Sequence, residues 1–129
     1  MPDRRLAAVA VGAVAGGGLR WLALSATGVE PHVGLLVVNT AAAGILGWSV
    51  GSIRSGRIRS ATVGDLIGPG LCGALSTWSA LAVELAEDLL DGRPLVALAW
   101  VTLGVTAGVS AAWAGSRLAA PAPDGDGLR

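Results

Sequence analysis

The residues of this 129-residue chain that could do chemistry sit mostly in one stretch. It reads Gly68-Pro69-Gly70-Leu71-Cys72-Gly73-Ala74-Leu75-Ser76-Thr77-Trp78-Ser79-Ala80-Leu81, and its apolar part ends at Glu84. Glycine and proline weaken a helix, and a break inside an apolar run frees backbone carbonyls. Freed carbonyls make a hard-oxygen cation site, and the N-terminus of a half-helix favours an anion. Ser76, Thr77, Trp78 and Ser79 then place hydroxyl and indole donors just beyond those carbonyls. Asn39, in Val37-Val38-Asn39-Thr40, is an amide inside another apolar run. Such a group is either interhelical glue or part of a ligand path. Thr102, Thr106 and Ser110 recur every four residues along one helix stripe. Their hydroxyls either return to the carbonyl four residues earlier or line a path. Glu84 is the innermost of a set with Glu87, Asp88 and Asp91 that reads as a solvated helix end, or else it faces a vestibule.

These groups suit hydrogen bonding and ion binding rather than covalent catalysis. A single cysteine, Cys72, excludes an internal disulfide framework and a cysteine metal cluster. A single histidine, His32, removes most zinc-site and Ser-His-Asp arrangements. All nine basic residues are arginine, against nine acids, so the chain has no nucleic-acid footprint.

The elements that must position these residues are membrane spans. The chain is 53% hydrophobic and 14% charged, with a mean hydropathy of +0.65, whereas a soluble domain carries about a quarter charged residues. Residues 6–19 carry no charge, and the run extends to 27 if Arg20 snorkels at an interface. Residues 33–53, 66–83 and 95–116 are likewise free of charge. A bilayer core of roughly 30 Å takes about 20 helical residues. The expected fold is therefore an all-α integral membrane protein with four transmembrane helices, at 6–27, 33–53, 63–87 and 95–116, the third one broken. Residues 1–120 form one domain, and the Pro/Gly/Asp-rich tail 121–129 is expected to be disordered.

Four spans place Arg4, Arg5, Arg54, Arg57, Arg59, Arg117 and Arg129 on one face, and only Arg20 and Arg93 on the other. The positive-inside rule then puts both termini in the cytoplasm of a cell inner (plasma) membrane protein. Gly44, Gly47, Gly104, Gly108 and Gly115 allow close helix approach, within the chain or across a dimer face.

At the residues of the third span the sequence resembles the CrcB/Fluc fluoride channel family. The likeness covers nearly the whole chain, from Gly18-Leu19-Arg20-Trp21 through Asn39, Gly44 and Gly47 to the stretch 73–84. The family's third span reads roughly Gly-Gly-x-Thr-Thr-Phe-Ser-Thr-Phe-Ser-x-Glu. The resemblance implies an antiparallel dimer with two narrow fluoride pathways and a central sodium ion. The sodium would be held by main-chain carbonyls, here those of Gly73 and Ser76. It implies a fluoride pathway through Asn39, Trp78, Ser79, Leu81 and Glu84, with Arg20 structural or vestibular. Hydroxyls on the fourth span, carried onto Thr106 and Ser110, would complete it. The implied activity is passive: fluoride that entered as the neutral acid leaves as the anion down its gradient.

The departures bear on how the chain would assemble. Both ring positions have lost phenylalanine, in a chain with none; Trp78 retains a ring edge and an N–H, while Leu81 cannot bind an anion. A single dual-topology chain needs balanced charge, and seven arginines against two are not balanced. The expected assembly is then the termini-inside half of a pair with a paralogous partner chain. Two other readings stand beside it. A small multidrug-resistance-type proton-coupled exporter needs a carboxylate embedded in its first span, and residues 6–19 hold none. A non-conducting partner subunit of a heterodimeric channel would fit Leu81.

Overall fold

The computed structural model describes residues 2–25, 28 and 30–119, whose regular elements are all helices, with no strands. The expected tail 121–129, and residues 26 and 27 of the expected first span, lie outside them. Helix α1 is Pro2–Ser25 and α2 is Pro31–Arg54. The third span is composite: α3 (Ala61–Asp65), a π-helical segment (Leu66–Cys72), α4 (Gly73–Leu75) and α5 (Trp78–Leu90). Helix α6, Pro94–Ala119, is the last of the described elements. Four stretches are long and apolar enough to cross a membrane: Asp3–Ser25, Pro31–Arg54, Ala61–Leu90 and Pro94–Ala119.

Local chemistry sets the boundaries. Pro31 and Pro94 open α2 and α6, where the missing N–H costs nothing. The Glu30 carboxylate caps α2 by accepting from Val33 N–H at 3.1 Å. Ser60 and Thr77 cap α3 and α5 through their hydroxyls, which accept from Val63 and Ala80 N–H. Pro69 falls inside the third span, and there the chain widens to π-helix. The Gly73 N–H reaches back five residues to the Gly68 carbonyl. The wider turn accommodates a ring that would otherwise crowd the preceding turn and a missing donor. The glycine–proline cluster thus bends the hydrogen-bond register without ending the helix. The helix is interrupted one turn later, at Ser76-Thr77.

Packing divides around α2. One face meets α6, its most extensive neighbour. The backbones cross so closely that a Cβ at Gly47 would fall on the Ala112 carbonyl, and one at Gly115 on the Gly44 carbonyl. The other face carries Val38 and Ala42, which are buried against Cys72 and Leu75, with Ile67 and Leu71 around them. Helix α1 closes this side by packing on the π-helical segment. Its Arg5 guanidinium pairs with Asp65 through Nε and through Nη2 at 3.0 Å. That pair fixes the start of α1 and the start of the third span at one end of the bundle.

Candidate functional site

Ser76 and Thr77 are extended, with ψ of 153° at Ser76 and φ, ψ of −148°, 118° at Thr77. Extended backbone inside a span is tolerated only where protein supplies its hydrogen bonds. Asn39 supplies them from α2. Thr77 N–H donates to Asn39 Oδ1 at 2.7 Å, and Asn39 Nδ2 donates to the Thr77 carbonyl at 3.2 Å.

This clamp changes the bookkeeping of the helix around it. In an unbroken helix Thr77 N–H would bond the Gly73 carbonyl, and Ala80 N–H the Ser76 carbonyl. Here the first goes to Asn39 and the second to Thr77 Oγ1 at 3.2 Å. The carbonyls of Gly73 and Ser76 are therefore released from their helical donors. Ser76 itself bonds back to the Cys72 carbonyl through both N–H (3.0 Å) and Oγ (2.9 Å). Arg20 Nη1 approaches the Ser76 carbonyl at 3.4 Å, a long contact that ties α1 to the interruption.

A cleft of about 240 Å³ opens beside the clamp, bounded by Asn39, Ser76, Thr77, Trp78 and Leu81, with His32 and Trp100 also lining it. A neighbouring cavity of about 380 Å³ shares Asn39 and Ser76 and adds Gly73 and Cys72. Of the residues expected to act together, Asn39, Ser76, Trp78 and Leu81 are brought to one cleft. Gly73 borders the adjoining cavity.

Four others lie elsewhere. Ser79 is exposed, with its hydroxyl 3.2 Å from Thr77 Oγ1. Glu84 lies one turn beyond the cleft, half-buried, with Oε2 3.8 Å from His32 Nδ1. Thr106 and Ser110 are exposed on α6 and do not line the cleft. The Thr106 hydroxyl donates to the Thr102 carbonyl, and the Thr102 hydroxyl to the Leu98 carbonyl, both at 2.7 Å. Of the two readings of that stripe, back-bonding is the one observed for both threonines. Helix α6 presents Gly104 and Val105 to the cleft instead.

One expectation is overturned. Asp88 reads in sequence as part of a solvated end, yet it is 1% exposed. It lies on the inward face of α5, where Oδ2 is 2.9 Å from His32 Nε2 and Oδ1 is 2.8 Å from Arg93 Nη2. Two cationic or hydrogen-bonding partners offset the desolvation that would otherwise keep a carboxylate at the surface. His32, set aside in sequence as a lone histidine, is the centre of this group. Its Nδ1 is 2.6 Å from Glu30 Oε1, and its ring stacks on Trp100 at a centroid distance of 5.1 Å. That hydrogen bond holds the Glu30 carboxyl below the usual carboxylate range. The signal available in sequence was the spacing of Glu84 and Asp88, one turn apart on one helix face.

Residues 7–116 match the family model described as CrcB-like protein, Camphor Resistance. The chain is similar to the fluoride-specific ion channel FluC 1 of Synechococcus sp. (strain CC9902), 37% identical over 87% of this chain and 90% of that one. It is 34% identical to the fluoride-specific ion channel FluC of Methanopyrus kandleri, over 87% of this chain and 86% of the relative. It is 36% identical to the fluoride-specific ion channel FluC 2 of Corynebacterium diphtheriae, over 86% and 97% respectively.

Proposed function

We propose, from the premise that this chain belongs to the CrcB-like protein family, that it is a subunit of a passive fluoride-specific channel that lowers cytoplasmic fluoride. The observation that carries the reading is the cleft beside the interrupted span, where Asn39, Ser76, Thr77 and Trp78 meet in a four-span chain whose curated relatives are named for that activity.

Fluoride is small and strongly hydrated, so a narrow path must replace its water with donors. The Trp78 ring edge and indole N–H can supply them at the cleft, as can hydroxyls near Thr77. Asn39 acts chiefly by position: both ends of its amide are engaged with Thr77, and it holds the extended segment open. No step calls for ATP, a nucleophile or a covalent intermediate. The chain dimerises, since four slender helices leave little room for a path on their own, and the antiparallel arrangement is the one the family resemblance implies. The arginine bias favours a termini-inside orientation and a paralogous partner in the opposite one. A stable, conducting antiparallel homodimer of this chain alone would overturn the need for that partner.

A central sodium ion fits the donor set. The Gly73 and Ser76 carbonyls are hard oxygen acceptors that have lost their helical donors, the type of group such a cation takes. Those two carbonyls would hold the ion, which would supply a fixed positive charge between subunits. Arg20 lies against the same Ser76 carbonyl and contributes positive charge from within the chain.

Fluoride efflux from liposomes tests the function. Vesicles holding the purified chain, with its partner where one is required, release fluoride and retain chloride. Asn39→Asp sets a second carboxylate oxygen against the Thr77 carbonyl in place of a donor, and efflux falls by an order of magnitude or more. Efflux unchanged in that variant would remove Asn39 from the pathway.

A further inference from the structure

The group around His32 has no role in the pathway described so far, yet it borders the same cleft. Its ring is buried in the first turn of α2 between Glu30 and Asp88 and lines one side of the cavity. His32 and Asn39 are seven residues apart, two turns and roughly 10 Å along one face of α2. The imidazole therefore stands at the mouth of the cleft, where an ion would enter or leave.

The charges facing it can be counted from every neighbouring element. The segment before α2 contributes Glu30, and α5 contributes Asp88 and, at 3.8 Å, Glu84. The α5–α6 turn contributes Arg93, which reaches Asp88 at 2.8 Å. Helix α6 contributes the uncharged Trp100, and the Arg20 of α1 is directed to the Ser76 carbonyl. The same Arg93 nitrogen is shared with Asp91 at 3.1 Å, so four carboxylates surround one guanidinium. With a neutral imidazole the group carries an excess of negative charge, which repels an anion; protonation of His32 reduces that excess by one. In a confined, poorly screened opening a single charge strongly alters the local anion concentration.

We propose that His32 is a pathway-mouth residue whose protonated form admits fluoride, so that conductance rises as the medium is acidified. This rests on the fluoride-channel reading. It also suits the chemistry of the ion: acid shifts external fluoride towards the neutral form that crosses lipid, so the exit would widen as the load grows. A histidine that merely ties α2 to the α5–α6 turn would hold the bundle together without making the current depend on pH.

Fluoride currents in planar bilayers at pH 7.5 and 5.5 separate the two roles, because current records the anion and not the neutral acid. For the unaltered protein the current is expected to rise roughly three- to tenfold at the lower pH. In His32→Gln, which retains hydrogen bonding but cannot be protonated, the ratio of the two currents is expected to fall to about one. Glu30→Gln removes a carboxylate that favours the imidazolium, and the midpoint of the response is expected to move to lower pH. A nonzero but pH-independent current in the unaltered protein, or a rise that persists in His32→Gln, overturns the role of His32 and leaves the channel reading standing. Should His32→Gln fail to fold, the Glu30→Gln midpoint decides, and an unmoved midpoint overturns the proposal. Absence of fluoride current at both pH values overturns the channel reading, and this inference with it.

Discussion

Helix α2 is packed in two contrasting ways. Towards α6 it is backbone against backbone: Gly47 abuts Ala112, Gly115 abuts Gly44, and Gly51 abuts Ser116. Towards the third span it is held by a side-chain amide, and a 240 Å³ cleft remains beside the contact. Lipid tails are as apolar as leucine, so neither side is driven together by the hydrophobic effect. The α6 side gains dispersion contacts by close approach, and the third-span side gains by satisfying otherwise stranded polar backbone. The first arrangement gives a rigid wall. The second gives an opening with fixed polar edges, and a path through this chain needs both.

Substitutions that exchange these roles should show how firmly the two sides differ. The largest effect is expected from Gly47→Leu, because four added carbons must occupy space already filled by the Ala112 backbone. Overpacking of this kind costs about 3 kcal/mol or more. The variant should lose its monodisperse peak on size exclusion in detergent, and a peak that survives would mean that the seam can part.

Asn39→Leu should rank next. It strands the Thr77 N–H and carbonyl, each at about 1–3 kcal/mol, while leaving the α6 seam untouched. The folded protein should persist with a lowered melting temperature, and fluoride efflux should drop at least tenfold. Full stability would show that another group can close the gap.

Leu81→Phe should act in the opposite direction. It adds a ring with an electropositive edge to the cleft lining, and a several-fold gain in efflux is expected at nearly unchanged stability. No gain would place position 81 off the route in this chain. The smallest effect belongs to Thr102→Val, whose lost hydroxyl serves only the Leu98 carbonyl on an exposed face of α6. Melting temperature should shift by less than about 0.5 kcal/mol equivalent, with unaltered efflux.

Much of this architecture is legible in the sequence, because hydrocarbon imposes simple rules. Three charge-free runs of 18 to 22 residues, and a run of 14 that continues past Arg20, give four spans, and the arginine positions sort by end. Asn39 and the Ser76-Thr77 pair stand out because polar groups are rare in such runs. That they grip one another is not legible, since the two lie 38 residues apart and nothing local encodes the pairing. The π-helical turn at Pro69 is hidden for a different reason: a proline in a span announces a disturbance but not whether the helix stops or widens. Asp88 misleads because Glu87 and Asp91 around it are exposed, and only the position of α2 reveals that one member of the set faces inward. The α6 hydroxyls stay ambiguous in sequence, because regular spacing defines a stripe but not which neighbour the stripe meets.

The Asn39–Thr77 contact has a meaning beyond the gap that it fills. A residue that both gives its N–H and takes an N–H at its carbonyl, from one partner, makes the exchange found at each hydrogen-bonded pair of an antiparallel sheet. Here one side of that ladder is a single side chain, so the contact reproduces one rung of a β-ladder without a second strand, between helices at a depth where lipid would leave no open strand edge unpaired. A pairing so short has no second rung to slip to, and its register is set by the length of one asparagine.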